Sequence, residues 1–271
     1  MEFIIIALII GVIIYVRIKF KVPKFGCMAL VTGGVKTGKS TLSVYMAISR
    51  YKKSVRVTKF INFFRKIFRR NLLEMPLLYS NIPLSVPYVP LTMGLIKRKY
   101  RFRYGSVIYV NEASLFADSQ LVKDMELNER LLMFNKLIGH ELLGGYIIYD
   151  TQAIVDVHYS VKRCLSNYIY IHHLTKWIPG FLIAYVRECV YSEDGSVINN
   201  YSSDVEDDLR KVIIPKRVWK KFDAYCYSYA TDDLPVYDKV VNLRKGSSLK
   251  VKKLISFNED MKEAYREEKK R

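Results

Sequence analysis

The amino-acid sequence predicts an α/β sheet with flanking helices, preceded by one N-terminal transmembrane helix. Three observations predict this. A short apolar strand, a glycine loop and a helical pattern follow one another from Met28 to Ala47. Two further apolar runs, 106–112 and 145–152, each pass into polar residues at their carboxyl ends. Residues 3–16 are apolar without a break.

The first element is that apolar run, FIIIALIIGVIIYV, 14 residues long. A helix needs roughly 20 residues to cross the hydrocarbon core. Ile18 and Phe20 extend it, while Arg17, Lys19 and Lys21 can snorkel to headgroups. A cleaved signal would carry its charges before the run and small residues after it, and here the charges follow. A buried strand or core helix remains the alternative. Glu2 precedes the span, and Arg17, Lys19, Lys21 and Lys24 follow it. The positive-inside rule therefore expects a single-pass, N-out anchor in the cytoplasmic membrane of a host, with the bulk of the chain cytoplasmic.

Next, Met28 to Thr32 reads as a buried strand, Gly33-Gly34-Val35-Lys36-Thr37-Gly38-Lys39-Ser40 fits G-x-x-x-x-G-K-S, and Thr41 opens a helix. Strand, glycine loop and helix together are the context of a phosphate-binding loop. The glycines turn backbone N–H groups towards phosphates, and the helix N-terminus adds its dipole. Gly33 to Thr41 are the expected nucleotide-binding residues, with Lys39 at the β- and γ-phosphates of ATP and the Ser40 hydroxyl at Mg²⁺.

The strand 106–112 ends in Asn111-Glu112, where Glu112 is the candidate general base for water. Asn111 stands where an aspartate would hold the water shell of Mg²⁺, so slow hydrolysis is expected. The strand 145–152 ends in Thr151-Gln152, expected beside the γ-phosphate, with an ordinary strand-to-loop turn as the alternative.

Two segments are basic. Residues 51–70, YKKSVRVTKFINFFRKIFRR, suit an amphipathic helix against anionic lipid, or contacts to DNA phosphates. In Lys97 to Arg103, aromatic residues alternate with charges, as in sites that stack single-stranded bases. A solvated, charge-protected hairpin edge is the alternative. Ile178 to Val186 reads as a strand or hairpin, 191–208 as a hairpin around Asp194-Gly195, and 258–271 as an exposed helix. The net charge of +18, with 44 Lys and Arg against 26 Asp and Glu, points to a polyanionic partner. Four scattered cysteines without a Cys-x-x-Cys pair disfavour a disulfide framework or a zinc site.

In this order the motifs resemble the Zot-like family, the zonular-occludens-toxin and filamentous-phage assembly ATPases, over about residues 26–240. The phosphate loop carries the resemblance. Beside it stand Leu77 to Pro83, Val110-Asn111-Glu112-Ala113, Thr151-Gln152 with Asp156 and Arg163, and Tyr225 to Tyr229. The resemblance implies a RecA-like P-loop NTPase sheet, similar to the FtsK/HerA motors, acting as a ring of identical subunits. It makes Arg163 a candidate arginine finger acting on a neighbouring subunit. Asn111 departs from the family pattern, and so does an anchor placed before the ATPase.

The expected organisation is an anchor at 1–21, an ATPase domain at 22–240 and a charged tail at 241–271. The expected function is a membrane-anchored ATPase that assembles, extrudes or packages single-stranded phage DNA, with phage coat or pore proteins as partners. The alternative is a nucleotide-gated membrane scaffold with little hydrolysis. A small-molecule kinase would need a lid and an acceptor pocket, neither of which is visible. A ParA-type ATPase would carry a lysine where Thr32 stands.

Overall fold

The structure is a computed structural model that describes residues 25–92, 95–96, 101–116, 125–142, 144–176, 179–191, 197–198 and 209–222, with isolated positions between 6 and 20. Its strands are β1 (Met28–Thr32), β2 (Leu78–Ser80), β3 (Val89–Pro90), β4 (Val107–Val110), β5 (Tyr146–Thr151), β6 (Asn167–Lys176), β7 (Phe181–Tyr191), β8 (Val197–Ile198) and β9 (Arg210–Pro215). The helices are α1 (Lys39–Ile67), α2 (Ala113–Phe116), α3 (Met125–Leu142) and α4 (Tyr159–Cys164), followed late in the chain by a 3-10 turn at Lys216–Lys220.

The strands form one mixed sheet in the order β3-β2-β4-β5-β1-β6-β7-β8, with β9 on the far side of β7. From β3 to β6 every pairing is parallel, and β7, β8 and β9 join antiparallel. Strands buried on both faces read as continuous apolar runs, and β1 and β4 are buried at every position. Alternation along β1 then divides the core. Ala29 and Val31 join the layer of Leu42, Met46 and Ala47 on α1. Met28 and Leu30 join the layer of Leu131, Ile138 and Val161 on α3 and α4. Because the strands run parallel, Thr32, Ser80, Val110 and Thr151 all end on one edge of the sheet, where ligands gather in open α/β folds.

Helix α1 runs for 29 residues, roughly 43 Å, as one unbroken element out of the glycine loop. Its buried residues all lie between Lys39 and Ile48. The basic segment 51–70 is therefore not a separate helix but the distal part of α1 and the turn that ends it. Here Val57, Phe60, Phe63, Phe64 and Ile67 are exposed beside Lys and Arg side chains. The returning chain is tied to the helix by Asn62, whose amide donates to the Leu73 carbonyl at 2.9 Å and accepts the Leu73 N–H at 2.8 Å.

Within the second basic segment, Phe102 is buried against Tyr79 with ring centroids 4.9 Å apart, so it does not present a stacking face for a base. Of the described residues of that segment Arg101 and Arg103 face solvent, and Lys97 to Tyr100 lie outside the described residues. The run from Ile178 to Val186 enters a hairpin: β6 and β7 pair antiparallel around Gly180, whose φ is 92°. Val190 pairs with Ile198 and Tyr191 with Val197, so a second hairpin follows, although its Asp194-Gly195 turn lies outside the described residues. Also outside are Tyr225 to Tyr229, the tail and most of 1–21; among the described residues no helix is long and apolar enough to cross a membrane.

The burial boundary along α1 predicts unequal mutational costs. Leu42→Ala opens a void under the sheet and is expected to lower unfolding free energy by about 2–5 kcal/mol. Phe63→Ala on the exposed end is expected to change it by less than about 0.5 kcal/mol. Urea titrations of both variants check this.

Candidate nucleotide site

The loop after β1 is pressed against β6, which explains its glycines. A Cβ on Gly33 would lie 2.5 Å from Ile171 Cγ2 and 2.7 Å from the Ile171 carbonyl oxygen. Gly38 has φ 92°, and a Cβ there would meet Leu174 at 2.8 Å. Gly34, Val35 and Lys36 are exposed at the tip, and Lys36 is left-handed with φ 63°. The Thr37 hydroxyl donates to the Gly34 carbonyl at 2.8 Å and closes the turn. Helix α1 then starts with no side-chain cap and no acidic residue in its first turn. Its first N–H groups and the positive end of its dipole are thus left for an anion. Strand, glycine loop and uncapped helix start together have the arrangement of a phosphate-binding loop in an α/β sheet.

Across the sheet edge, Lys39 points at the end of β4. Its Nζ lies 3.3 Å from Glu112 Oε2, with both side chains largely enclosed. The other oxygen, Glu112 Oε1, accepts from the Thr151 hydroxyl, the Gln152 N–H and the Ser114 hydroxyl, each at 3.1 Å. Burial pushes Glu112 up, but the Lys39 ammonium and these donors outweigh it and hold the carboxyl below its ordinary value. The carboxylate is fixed in place and ionised.

What aims it is an unusual turn. Glu112 has φ 50°, a left-handed conformation that is uncommon for a residue with a side chain. Two buried side chains hold it. Asn81, beyond the end of β2, donates its amide to the Asn111 carbonyl at 2.8 Å and accepts the Asn111 N–H at 2.7 Å. Asp150 on β5 accepts the Glu112 N–H on Oδ1 at 2.8 Å. Its Oδ2 accepts the Tyr109 hydroxyl at 2.8 Å. Asn111 Oδ1 is 3.1 Å from the same Tyr109 hydroxyl.

The structure thus brings Lys39, Ser40, Asn111 and Glu112 together at one edge, with the Gln152 backbone joining them. The Gln152 side chain is exposed. The Thr41 hydroxyl, at the start of α1, accepts from the Trp219 indole at 3.2 Å, which ties the loop's helix to the 3-10 turn. Arg163 is not brought to the phosphate loop of its own chain. It is exposed on α4 with its guanidinium 5.4 Å from the Tyr159 ring, and Asp156 is exposed before it. Three residues of the site were missed in the sequence: Tyr109, Ser114 and Asp150. Asp150 did leave a signal, because a carboxylate inside an apolar strand run is rarely buried without a partner.

No family model matches the chain, and no curated protein matches it. Among solved structures, the N-terminal domain of zonular occludens toxin from Neisseria meningitidis aligns at 13% identity with a TM-score of 0.41, covering 74% of this chain and 100% of that one. The genome packaging NTPase of Sulfolobus turreted icosahedral virus 2 in complex with AMP aligns at 11% identity and 0.31, covering 60% and 96%. A KaiC-like protein from Pyrococcus horikoshii aligns at 14% identity and 0.35, covering 71% and 91%. These likenesses are distant, so the assignment of the loop rests on its geometry in this chain.

Burial pushes Asp150 up to about 6, and the Glu112 N–H, the Tyr109 hydroxyl and Lys39 offset this only in part. A carboxyl raised on folding binds its proton more tightly in the folded chain than in the unfolded one. Its contribution to stability is therefore fully present below the unfolded value and lost as pH rises through about 6. At neutral pH the ionised group is a burden. Asp150→Asn keeps an acceptor for the Glu112 N–H and is expected to stabilise at pH 7.5, by on the order of 1–3 kcal/mol. The gain should shrink between pH 6 and 4; melting curves across that range check it.

Proposed function

We propose that this chain is an ATPase that drives DNA across or along a membrane, as a ring of identical subunits, for assembly, extrusion or packaging of single-stranded phage DNA. The observation that carries the catalytic part is the Lys39–Glu112 ion pair beneath an uncapped helix N-terminus. Lys39 holds the site closed until a phosphate competes for its ammonium. When it swings to the phosphates, it removes the strongest of the favourable interactions that keep Glu112 acidic. Glu112 Oε2 is then released with a higher proton affinity, free to take a proton from water. Oε1 stays bound to Thr151, Gln152 and Ser114, so the base does not move away with the lysine.

The residue types fit Mg²⁺: Ser40 stands in the first turn of α1, directly after the Lys39 whose ammonium reaches the end of β4. Ser40 would hold the ion, which when bound neutralises charge on the phosphoryl oxygens. The DNA part rests on the net charge and on distal α1, where Lys52, Lys53, Arg56, Lys59, Lys66 and Arg69 are exposed. Anchoring rests on the apolar run at 3–16 and the charges that follow it. The placement of Arg163 away from its own loop supports a role on a neighbouring subunit, as the family resemblance implies.

Asn111 favours a second reading, a nucleotide-gated scaffold with negligible turnover, because an amide brings no charge to the metal. Two measurements separate the readings. Lys39→Ala is expected to abolish nucleotide binding, whereas Glu112→Gln should bind nucleotide and turn it over about 10²–10⁴-fold more slowly. A Glu112→Gln rate equal to wild type in the presence of single-stranded DNA would favour the scaffold. Contacts to DNA phosphates should also make binding weaken steeply between 50 and 200 mM salt in a filter-binding assay. Binding that ignores salt would remove the DNA role.

A further inference from the structure

Beyond Arg50, helix α1 carries an apolar face that nothing among the described residues covers. At 3.6 residues per turn, Phe60, Phe63, Phe64 and Ile67 fall on one arc about 100° wide. Phe60 is 65% exposed, Phe63 61% and Ile67 58%. Asn62, which holds the returning chain at Leu73, projects from the other side of the helix. The phenylalanines are therefore turned away from the segment that packs on distal α1. We propose that this face is an interfacial element that lies on an anionic bilayer, with the phenyl rings below the headgroups and the flanking cations among them. This rests on the membrane part of the reading above. It assigns distal α1 to lipid, and the DNA reading then stands on the net charge alone.

Charge complementarity argues for the bilayer. From Lys39 to Leu73 the chain has no Asp or Glu, and residues 51–70 carry eight Lys and Arg. Lys59 and Lys66 stand along one edge of the apolar arc and are exposed. On the other side Val57 and Ile61 line a groove whose far wall holds Arg101 and Arg103, the latter paired with Glu74 at 3.4 Å. Both edges thus carry cations, whose stems lie along apolar surface while their heads reach phosphate. The end of the helix keeps the same character. Arg70 N–H returns to the Arg65 carbonyl at 2.7 Å and Arg69 N–H to the Lys66 carbonyl at 3.2 Å, with Arg69 left-handed at φ 51°. Glycine is the usual residue at that position, and here a cation occupies it.

The aromatic geometry separates lipid from the other occupants. Phe60 and Phe63 pack edge to face on Phe64, with centroids 4.9 and 5.5 Å away. Such a cluster is a compact apolar knob and not a row of open ledges for successive bases. A second copy would set another eight cations against the first in any self-complementary contact. Reach is no obstacle. Arg50 stacks on Phe25 at 4.5 Å, and Phe25 is nine positions after Val16, a tether of at most roughly 32 Å. Distal α1, roughly 27 Å long from Arg50 to Phe68, can therefore meet the bilayer that the apolar run at 3–16 would enter.

The test uses the full chain with Phe63→Trp, and vesicles of phosphatidylcholine alone or with about 30% phosphatidylglycerol, with and without bromine on the acyl chains. Wild type, with Trp177 and Trp219, gives the background. In brominated anionic vesicles the added tryptophan is expected to lose at least about half its emission, because an interfacial helix sinks roughly 5–10 Å into the headgroup boundary. Lys59→Gln with Lys66→Gln in the same chain should reduce that quenching about twofold or more. Quenching that is equal in neutral and anionic vesicles and indifferent to these substitutions overturns the role of charge. Sedimentation with the vesicles is measured alongside. A chain that sediments while the tryptophan stays unquenched overturns the proposal and leaves the anchor in place. A chain that sediments with neither vesicle overturns the membrane reading itself, and the proposal with it. Emission that responds to single-stranded DNA but not to vesicles gives the face to nucleic acid. Emission that follows protein concentration alone gives it to a second copy, and either result overturns the proposal.

Discussion

The site hangs on the left-handed turn at Glu112. With φ near 50° the chain leaves β4 at an angle that extended backbone would not give, and the side chain is carried across the end of β5 towards Lys39. Such a conformation costs of order 1–3 kcal/mol at a non-glycine residue and persists only where its surroundings over-determine it. Here they do. Asn81 satisfies both backbone groups of Asn111, and Asp150 takes the N–H of Glu112. Because Asn81 follows β2 and Asp150 ends β5, the turn is clamped from both neighbours of β4 in the sheet. The order of parallel strands is therefore a condition of the chemistry and not only a scaffold beneath it.

The same edge shows why stability and function pull apart. The fully buried Asp150 is forced towards protonation by its surroundings, while its two oxygens accept from the Tyr109 hydroxyl and the Glu112 N–H that shape the site. Glu112 has the opposite balance, because Lys39 and three donors compensate its burial. The two carboxylates are therefore unequal by construction. One is anchored and acidic at rest, and the other is buried, partly compensated and expensive. Perturbed groups gathered in this way at the strand ends are a pattern that functional sites share.

Much of the fold was legible because its strands are buried on both faces. Met28–Thr32, Val107–Val110 and Tyr146–Thr151 appear as apolar runs ending in polar residues, and a glycine loop has few contexts. The hairpin across Gly180 was also legible, from Pro179 and Gly180 between apolar residues. The length of α1 was not. Lysines and phenylalanines after Tyr51 change the character of the sequence without changing the backbone, so a change of environment looked like a change of element. Phe102 misled for a related reason, since charges on either side say nothing about where the ring between them points. The network behind Glu112 was invisible because it is made across strands: Tyr109 and Asp150 are 41 positions apart and meet only when β4 and β5 pair.

That pairing also recasts Asn111. Its side chain and Asp150 both reach the Tyr109 hydroxyl, so the two positions are close and share one enclosed environment. An aspartate at 111 would set a second carboxylate there, and two carboxylates at such a distance do not both ionise readily. One would be held protonated, and the Tyr109 hydroxyl would then face a donor where it now has an acceptor. An amide oxygen at 111 avoids that conflict without adding a charge, and leaves Lys39 facing Glu112 and Asp150. The neutral residue on β4 and the buried acid on β5 are thus one arrangement of charge, in which no third carboxylate is added beside Lys39, Glu112 and Asp150.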